Sequence, residues 1–162
     1  MTAILRAGVV GAGVFGGHHA ARYAELAGVA LAAVLDTHPD RALALAERHG
    51  GEAFDDLGAF LAAVDVVSVA SPAVSHGRVA LAALRAGKCV YVEKPIATTL
   101  EDADAIVAEA AGRGLVAACG FLERAAFQAI GLLDAPRPPV RLEAARLGPP
   151  SARNLDVSVV LD

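Results

Sequence analysis

The sequence is poor in cysteine, with Cys89 and Cys119 as the two thiols among 162 residues. Both stand in apolar runs that are typical of interior strands, where a thiol usually packs as a small hydrophobic side chain. We therefore expect two reduced thiols, no disulfide bridge and no metal site built on cysteine.

Clustered positive charge is also missing. The 14 Lys and Arg residues are dispersed and the net charge is −4 at pH 7, which argues against nucleic acid as the main partner. No apolar run reaches the roughly 20 residues of a membrane span. The first residues lead directly into an apolar run rather than into a signal peptide. We therefore expect a cytoplasmic protein with neither a nucleic-acid nor a membrane partner.

Charged residues make up only 20% of the chain, whereas 56% of it is hydrophobic. In a chain of this length, such a composition indicates one α/β core whose strands are covered on both faces. Apolar runs alternate with helical segments and end near Val10, Leu35, Ala70, Val92 and Cys119. This alternation predicts a doubly wound parallel sheet, in which the carboxyl ends of the strands face one crevice.

Two predicted helices run from Ala73 to Ala86 and from Glu123 to Leu133, and a short extra strand or turn is predicted at Ala53-Phe54. The first predicted helix carries His18 and His19 near its start. Two imidazoles there suggest contact with a ligand, although a solvated or capping histidine is the commoner case.

The strongest motif is the turn Gly11-Ala12-Gly13-Val14-Phe15-Gly16 between the first strand and the first helix. Gly11 permits a tight turn, Gly13 lets a pyrophosphate approach the backbone, and Gly16 lets the helix pack closely on the strand. The second apolar run ends in Asp36, 20 residues beyond Gly16, where a carboxylate would reach the adenine ribose hydroxyls. A dinucleotide site is therefore predicted, with a purely structural glycine turn as the alternative.

Two later strand ends carry further candidates. Ser71-Pro72 ends the third long strand, and the loop there is expected to lie over the cofactor. Glu93-Lys94-Pro95 ends the next one. Lysine is seldom buried unless it is paired or functional, so Lys94 is expected beside the nicotinamide. The alternative is a surface Glu–Lys ion pair in a loop.

These residues make the chain resemble, along its whole length, the family of glucose-fructose oxidoreductase and inositol dehydrogenase (Gfo/Idh/MocA). Four features carry the resemblance: the glycine turn with His19 after it, Ser71-Pro72 followed by His76, Ala86-Gly87-Lys88 leading into Glu93-Lys94-Pro95, and Gly120-Phe121 with Arg124. The stretches 147–151 and 156–162 further resemble the subgroup that includes sugar-nucleotide 3-dehydrogenases.

The resemblance implies a Rossmann NAD(P)-binding domain and roles for named residues. Lys94 would hydrogen-bond the reacting oxygen and move its proton, Glu93 would help to fix the lysine, and Pro95 would hold the loop. Ser71, Pro72 and His76 would line the cofactor on the nicotinamide side. The implied cofactor-binding set is Gly11, Gly13, Val14, Phe15, Gly16, Asp36, Thr37, Ser71, Pro72, His76, Glu93, Lys94 and Pro95, and no metal site is implied.

The cofactor is expected to be NAD. A carboxylate at Asp36, followed by the small Thr37, repels the 2′-phosphate of NADP, and no arginine follows immediately. Arg41 could still reach round to that phosphate, so NADP remains possible.

The chain departs from the family in two ways. Arg124 is followed by Ala125, Ala126 and Phe127 where the family often has Phe-Asn-Pro, so a substrate contact is expected to be lost. Family members are also roughly twice as long, because a second domain closes the substrate pocket. We therefore expect residues 1–135 to form the dinucleotide-binding domain and residues 136–162 to be a linker and the start of a truncated second domain, the rest of which is missing.

The function implied is hydride transfer between a nicotinamide and a hydroxyl of a sugar, sugar nucleotide or polyol. A catalytically silent dinucleotide-binding module that acts in an assembly is the alternative. A third possibility, binding of another nucleotide such as a methyl donor, is disfavoured by Glu93-Lys94-Pro95. Residues from Val140 onward would form a strand without a sheet, so we expect them to be either poorly ordered or paired with another copy of the chain.

Overall fold

The computed structural model describes residues 3–131 and 133. The strands of this part are β1 Leu5–Val10, β2 Val29–Leu35, β3 Glu52–Phe54, β4 Val66–Val69, β5 Cys89–Glu93 and β6 Ala117–Gly120. The helices are α1 Val14–Glu25, α2 Pro39–His49, α3 Leu57–Ala63, α4 His76–Arg85, α5 Leu100–Arg113 and α6 Leu122–Ala129, with a 3-10 turn at Ala73–Ser75 before α4.

The strands form one parallel sheet in the order β3-β2-β1-β4-β5-β6. The chain moves outward from β1 to β3, and then returns to place β4 on the other side of β1. The predicted doubly wound sheet is thus confirmed, and its long strands end within one residue of the predicted positions. In such a sheet the crevice opens where the order reverses, between the carboxyl ends of β1 and β4.

The sheet buries a different hydrophobic cluster on each face. Val10 packs with Phe60, Leu84 and other side chains of the α3, α4 and α5 side, whereas Val9 packs with Leu45 and other side chains of the α1 and α2 side. Successive strand residues point to opposite faces, so these two valines separate the two layers. Gly8 leaves room for Phe60, whose Cζ atom would lie only 2.5 Å from a Cβ at that position.

Some predicted boundaries were wrong for local reasons. The segment after Pro72 begins as a 3-10 turn, in which the Ser75 amide donates to the Pro72 carbonyl at 2.9 Å, so α4 starts only at His76. Helix α6 stops at Ala129 because Gly131 takes a left-handed conformation with φ +73°, which ends helices. The short strand at Ala53-Phe54 is confirmed as part of β3.

The two cysteines lie on neighbouring strands, Cys89 on β5 and Cys119 on β6, and both are partly buried free thiols. Within the described part of the chain, no helix has the length and apolar character that crossing a membrane requires. The predicted domain boundary at 136 and the predicted tail strand from Val140 lie outside the described residues.

Candidate functional site

The glycine turn connects β1 to α1 with two close approaches and one open position. Gly11 has φ +100°, and a Cβ there would lie 2.5 Å from the Ser71 amide nitrogen. A Cβ at Gly16 would lie 1.7 Å from the Gly11 carbonyl oxygen. A Cβ at Gly13 would meet nothing within 4 Å. Gly11 and Gly16 are therefore required by the fold, whereas the lack of a side chain at Gly13 leaves the backbone open to a ligand.

The start of α1 offers backbone amides to that open position. Gly13 is the N-cap residue and has no side chain to occupy the first amides of the helix. The first turn carries no acidic residue, and Val14 and Phe15 are exposed. An uncapped helix start with its positive dipole end exposed is suited to an anion such as a phosphate group.

Asp36, directly after β2, is tied to the glycine turn. Its Oδ2 accepts a hydrogen bond of 2.7 Å from the Ala12 amide, and its Oδ1 accepts one of 2.8 Å from the His38 amide. Burial by itself would raise the pKa of Asp36, but the hydrogen bonds from Ala12 and His38 outweigh it and hold the pKa below its usual range. The side chain is therefore a carboxylate at neutral pH, and its remaining lone pairs can accept hydroxyl groups.

Three cavities follow one another along the carboxyl edge of the sheet. The first, of about 360 Å³, has apolar walls that include Leu35, Leu57 and Val79. The second, of about 370 Å³, shares Asp36 and Ser71 with the first. The third, of about 470 Å³, shares Phe15, Glu93 and Lys94 with the second. Because neighbouring cavities have walls in common, they form a continuous crevice past the glycine turn.

Most of the predicted residues meet in the second cavity. Its walls include Gly11, Gly13, Phe15, Asp36, Thr37, Ser71, Pro72, His76, Glu93 and Lys94, and Arg41 also reaches it. Gly16 and Pro95 are buried, and Val14 lines a surface depression between α1 and α2. Ten of the 13 candidates therefore surround one space, and Val14, Gly16 and Pro95 do not line it.

Glu93, the last residue of β5, is held by a hydrogen-bonded chain. His19 Nε2 lies 2.9 Å from Glu93 Oε1, and His19 Nδ1 lies 3.5 Å from Ser68 Oγ. Ser68 Oγ in turn lies 2.7 Å from the Tyr23 hydroxyl. With the histidine donating from Nε2 to the carboxylate, its Nδ1 can accept from the serine. The His19 ring also lies 5.2 Å from the Tyr91 ring.

Gly120, the last residue of β6, makes room for this carboxylate. A Cβ at Gly120 would lie 2.9 Å from the Tyr91 hydroxyl and 3.0 Å from Glu93 Oε2. Lys94 follows Glu93 and is partly buried, and its amide donates a 3.4 Å hydrogen bond to Glu93 Oε2. The Lys94-Pro95 peptide bond is cis. The carboxylate is thus enclosed from several sides while the lysine side chain lines the crevice.

His76 holds two loops rather than presenting an open ring to the crevice. It is only 2% exposed, with Nδ1 2.7 Å from the Pro95 carbonyl oxygen and Nε2 2.8 Å from the Ser71 carbonyl oxygen. The residue is one of those that line the second cavity, and its contact with a cofactor stays a prediction.

Sequence reasoning missed Ser68, Tyr23 and Tyr91 as parts of the site. Ser68 could have been found, because it is a hydroxyl in a strand that is otherwise apolar. A buried polar side chain requires a hydrogen-bond partner, which indicates polar neighbours. Among the described residues no group of three or more His, Cys, Asp or Glu side chains is placed to hold a metal ion.

Comparison with known proteins gives a family match over most of the described chain. Residues 5–121 match the GFO_IDH_MocA model, described as an oxidoreductase family with the NAD-binding Rossmann fold. UDP-N-acetylglucosamine 3-dehydrogenase of Acidithiobacillus ferrooxidans is 39% identical over 98% of this chain and 50% of its own length. Inositol 2-dehydrogenase of Paracoccus denitrificans is 42% identical over 74% of this chain and 38% of its own length.

Solved structures agree with this match. The UDP-N-acetylglucosamine 3-dehydrogenase superposes with a TM-score of 0.75 over 82% of this chain and 43% of its own. GenD2 from gentamicin A biosynthesis, solved with NAD, gives 0.77 at 35% identity over 85% of this chain and 40% of its own. A 3-ketoreductase from Actinomadura kijaniata, solved with NADP, gives 0.73 at 32% identity over 80% and 42%. The chain spans about half or less of the length of these relatives.

Proposed function

This chain belongs to the Gfo/Idh/MocA family of oxidoreductases, and on that premise we propose that it is the cofactor-binding part of an NAD(P)-dependent dehydrogenase that acts on a sugar, sugar nucleotide or polyol. The observation that carries the proposal is the row of three cavities that passes the glycine turn and contains Lys94 between the second and the third. We further propose that residues 1–135 form the dinucleotide-binding domain and that residues 136–162 begin a second one.

The crevice offers a place for each part of a dinucleotide. The first cavity, with apolar walls at Leu35, Leu57 and Val79, suits a flat adenine ring. Asp36 stands between the first and second cavities, where its carboxylate can accept ribose hydroxyls. The open backbone at Gly13 and the start of α1 suit the pyrophosphate. The nicotinamide end then belongs in the second cavity, beside Ser71 and Lys94.

NAD is the preferred cofactor in this proposal. The 2′-phosphate of NADP would have to lie near the Asp36 carboxylate, and charges of like sign repel across a partly buried site. Arg41 reaches the same cavity and is the residue that could offset this repulsion. Since solved relatives contain either NAD or NADP, the balance between these two side chains decides the preference.

Lys94 is the proposed acid–base residue. A bound nicotinamide supplies the acceptor or donor of hydride. As a hydroxyl of the substrate is oxidised, its proton must leave, and the Lys94 amine can take it when it stands within hydrogen-bond reach. Lys94 is shared by the second and third cavities, and this supports its proposed position between cofactor and substrate. Glu93, fixed by His19, supports the loop that carries this lysine.

The third cavity is the proposed substrate side. Its walls combine the aromatic side chains of Phe15 and Phe121 with the polar side chains of His19, Glu93 and Arg124. Apolar faces with interspersed donors and acceptors suit a polyhydroxylated ring. The two relatives compared above are named for UDP-N-acetylglucosamine and inositol, and both compounds belong to this chemical class.

The matched variants K94M and K88M provide the test, because Lys88 and Lys94 are the two lysines of the chain. Lys88 precedes β5 at the opposite edge of the sheet, where its Nζ donates to the Val64 carbonyl at 2.7 Å. NADH binding is measured by fluorescence on this chain, which by itself is expected to bind the cofactor without measurable turnover. Turnover with sugars, sugar nucleotides and polyols is measured after the chain has been extended by the second half of the UDP-N-acetylglucosamine 3-dehydrogenase, of which it matches 50%. K94M should bind NADH within a few-fold of wild type but lose about 100-fold or more of the turnover. K88M should keep both the NADH affinity and the turnover of the wild type.

Two other results would change the proposal. NADH binding by the extended wild type without turnover on any substrate class would favour a catalytically silent dinucleotide-binding module. A wild type that binds neither NADH nor NADPH would overturn the assignment of the crevice.

A further inference from the structure

His76 bridges two loops from the first turn of α4. Its Nδ1 lies 2.7 Å from the carbonyl oxygen of Pro95, in the loop that follows β5, and its Nε2 lies 2.8 Å from the carbonyl oxygen of Ser71, in the loop that follows β4. The side chain is 2% exposed. One imidazole thus links the two segments that carry the polar candidates on opposite sides of the nicotinamide end of the crevice.

Both contacts require a hydrogen atom on the ring nitrogen. A carbonyl oxygen can only accept a hydrogen bond, and a neutral imidazole has one N–H group and one bare nitrogen. A bare nitrogen at this distance from a carbonyl would set two lone pairs against each other, in a place that water does not reach. Turning the ring over does not help, because carbon atoms would then lie far inside the roughly 3.3 to 3.6 Å of a C–H···O contact.

We propose that His76 carries hydrogens on both ring nitrogens, and that as an imidazolium it positions the Lys94-Pro95 loop against the Ser71-Pro72 loop. Charged donors make shorter and stronger hydrogen bonds than neutral ones, in keeping with the two observed distances. His76 acts through the backbone of these loops and is therefore a positioning residue. The link between the loops stands by itself, whereas its importance for hydride transfer rests on the proposed function.

The charged groups around the ring do not impose one sign. Those that face it across the crevice, from its own helix, or from α5 against Gly77 are Asp36, Glu93, Asp102, Arg41, Arg78 and Lys94, with the titratable His38 beside Asp36. Three are acidic and three are basic. The two carbonyl oxygens, which lie in direct contact, are therefore the groups that decide where the hydrogens reside.

Long-range proton–nitrogen NMR spectra of the labelled 162-residue chain test this directly. They are recorded at about pH 8, above the ordinary pKa of a histidine side chain. Both nitrogens of His76 should give the signals of protonated ring nitrogens, whereas His49, at the end of α2, should show one protonated and one bare nitrogen. H76Q and H49Q assign the two sets of signals. A bare nitrogen at His76 would overturn the proposal.

The positioning role is tested by NADH affinity and by amide hydrogen exchange in the loops. H76F fills the same space without N–H groups, so we expect about a tenfold weaker affinity and faster exchange in both loops. H76Q retains donors and should recover part of the loss, while H49Q should match wild type. Equal affinity in H76F and wild type would contradict the positioning role. If H76F does not fold, H76Q and the wild-type spectrum still decide.

The two proposals can fail separately. Two protonated nitrogens in a chain that does not bind NADH would retain the loop bridge and overturn the proposed function. Normal NADH binding with a bare nitrogen at His76 would retain the proposed function and overturn the proposed imidazolium bridge.

Discussion

His19 Nε2 lies 2.9 Å from Glu93 Oε1, although 74 residues separate them in the chain. The histidine stands on α1 and the carboxylate ends β5, and the two side chains are 19% and 16% exposed. Little water reaches either partner, so each depends on the other to satisfy its polar atoms. The pair fixes Glu93 from the side of the glycine turn, next to Lys94 in the chain.

A double-mutant cycle with H19A and E93A should show that the pair is coupled. Removal of one partner leaves the other partly buried with an unsatisfied polar group, so each single variant should lose about 1 to 2 kcal/mol of the free energy of unfolding. The double variant should lose about 1 kcal/mol less than the sum. Urea unfolding measures all four chains. Additive losses would mean that the two side chains do not interact.

Substitutions at different glycines of the turn should affect either cofactor binding or the stability of the fold. G13A adds a methyl group to open space, so the fold should remain stable while NADH affinity falls about tenfold or more, because the methyl group stands where the backbone must approach the ligand. G16A places a Cβ 1.7 Å from the Gly11 carbonyl oxygen and should unfold the chain or lower its Tm markedly. G17A, also in open space, is the control and should keep both properties. Thermal melts and NADH titrations measure them, and a G13A chain with wild-type affinity would contradict this view of the turn.

Cofactor preference should depend on the charge of Asp36. D36N keeps the size of the side chain but leaves a single oxygen to accept from the Ala12 and His38 amides. NADH affinity should therefore fall, and the ratio of NADPH to NADH dissociation constants should drop by about fivefold as repulsion of the 2′-phosphate is removed. Fluorescence titration with both cofactors gives the ratio. D40N, in the first turn of α2, is the matched control. Equal affinities of the wild type for NADH and NADPH would count against a preference for NAD set by Asp36.

Alkylation should distinguish Cys119 from an ordinary thiol. Burial raises the pKa of the Cys119 thiol, more than its backbone hydrogen bond with Gly120 lowers it, and the Glu93 carboxylate adds to the rise. Because only the thiolate reacts, Cys119 should be modified by iodoacetamide more slowly than a free cysteine, up to a more alkaline pH. Mass spectrometry of time points from pH 7 to 10 follows the reaction, with C119S as the control.

Thiol counting in denaturant without reductant should find two thiols, and finding none would indicate a disulfide.

The ion pair between Arg6 and Asp65 should make stability depend on acid pH. The Arg6 guanidinium and amide donate to the Asp65 carboxylate, with NH2 2.7 Å from Oδ1, and lower the pKa of Asp65 to about 2. A depressed pKa contributes stability above the unfolded-state value, and this is lost as pH falls through the folded-state value. The pair is exposed, so D65N should lower Tm by only about 2 to 4 °C at pH 7. The difference should shrink as the pH falls from about 5 to about 2, and a constant difference would exclude the ion pair as its cause.

The sheet could be predicted from the sequence because its strands are buried on both faces. Runs such as Val66–Val69 and Cys89–Glu93 are mostly apolar and are followed by residues that stop a strand, so their ends were placed within one residue. The roles of Gly11 and Gly16 in the turn follow from the same local rules.

The interior of the site could not be predicted in that way. No spacing rule connects His19 to Glu93, or Tyr23 to Ser68, since their contacts depend on how α1 lies across β4 and β5. The bonds of His76 to two carbonyl oxygens depend on the path of two loops. A sequence shows which side chains carry chemistry, but the partners that orient them come from other elements of the fold.

Because β1 lies between β2 and β4 in the sheet, one of its two partner strands is translated much later than β1 itself. This strand is translated before β4, its second neighbour, which begins at Val66, and residues 7–10 pair with residues 66–69. At about 5 to 20 residues per second, the 59 intervening positions take about 3 to 12 s to translate. During that interval one edge of β1 lacks its partner strand. The nascent chain must therefore keep an apolar strand from pairing with other chains for seconds, until β4 arrives to cover it.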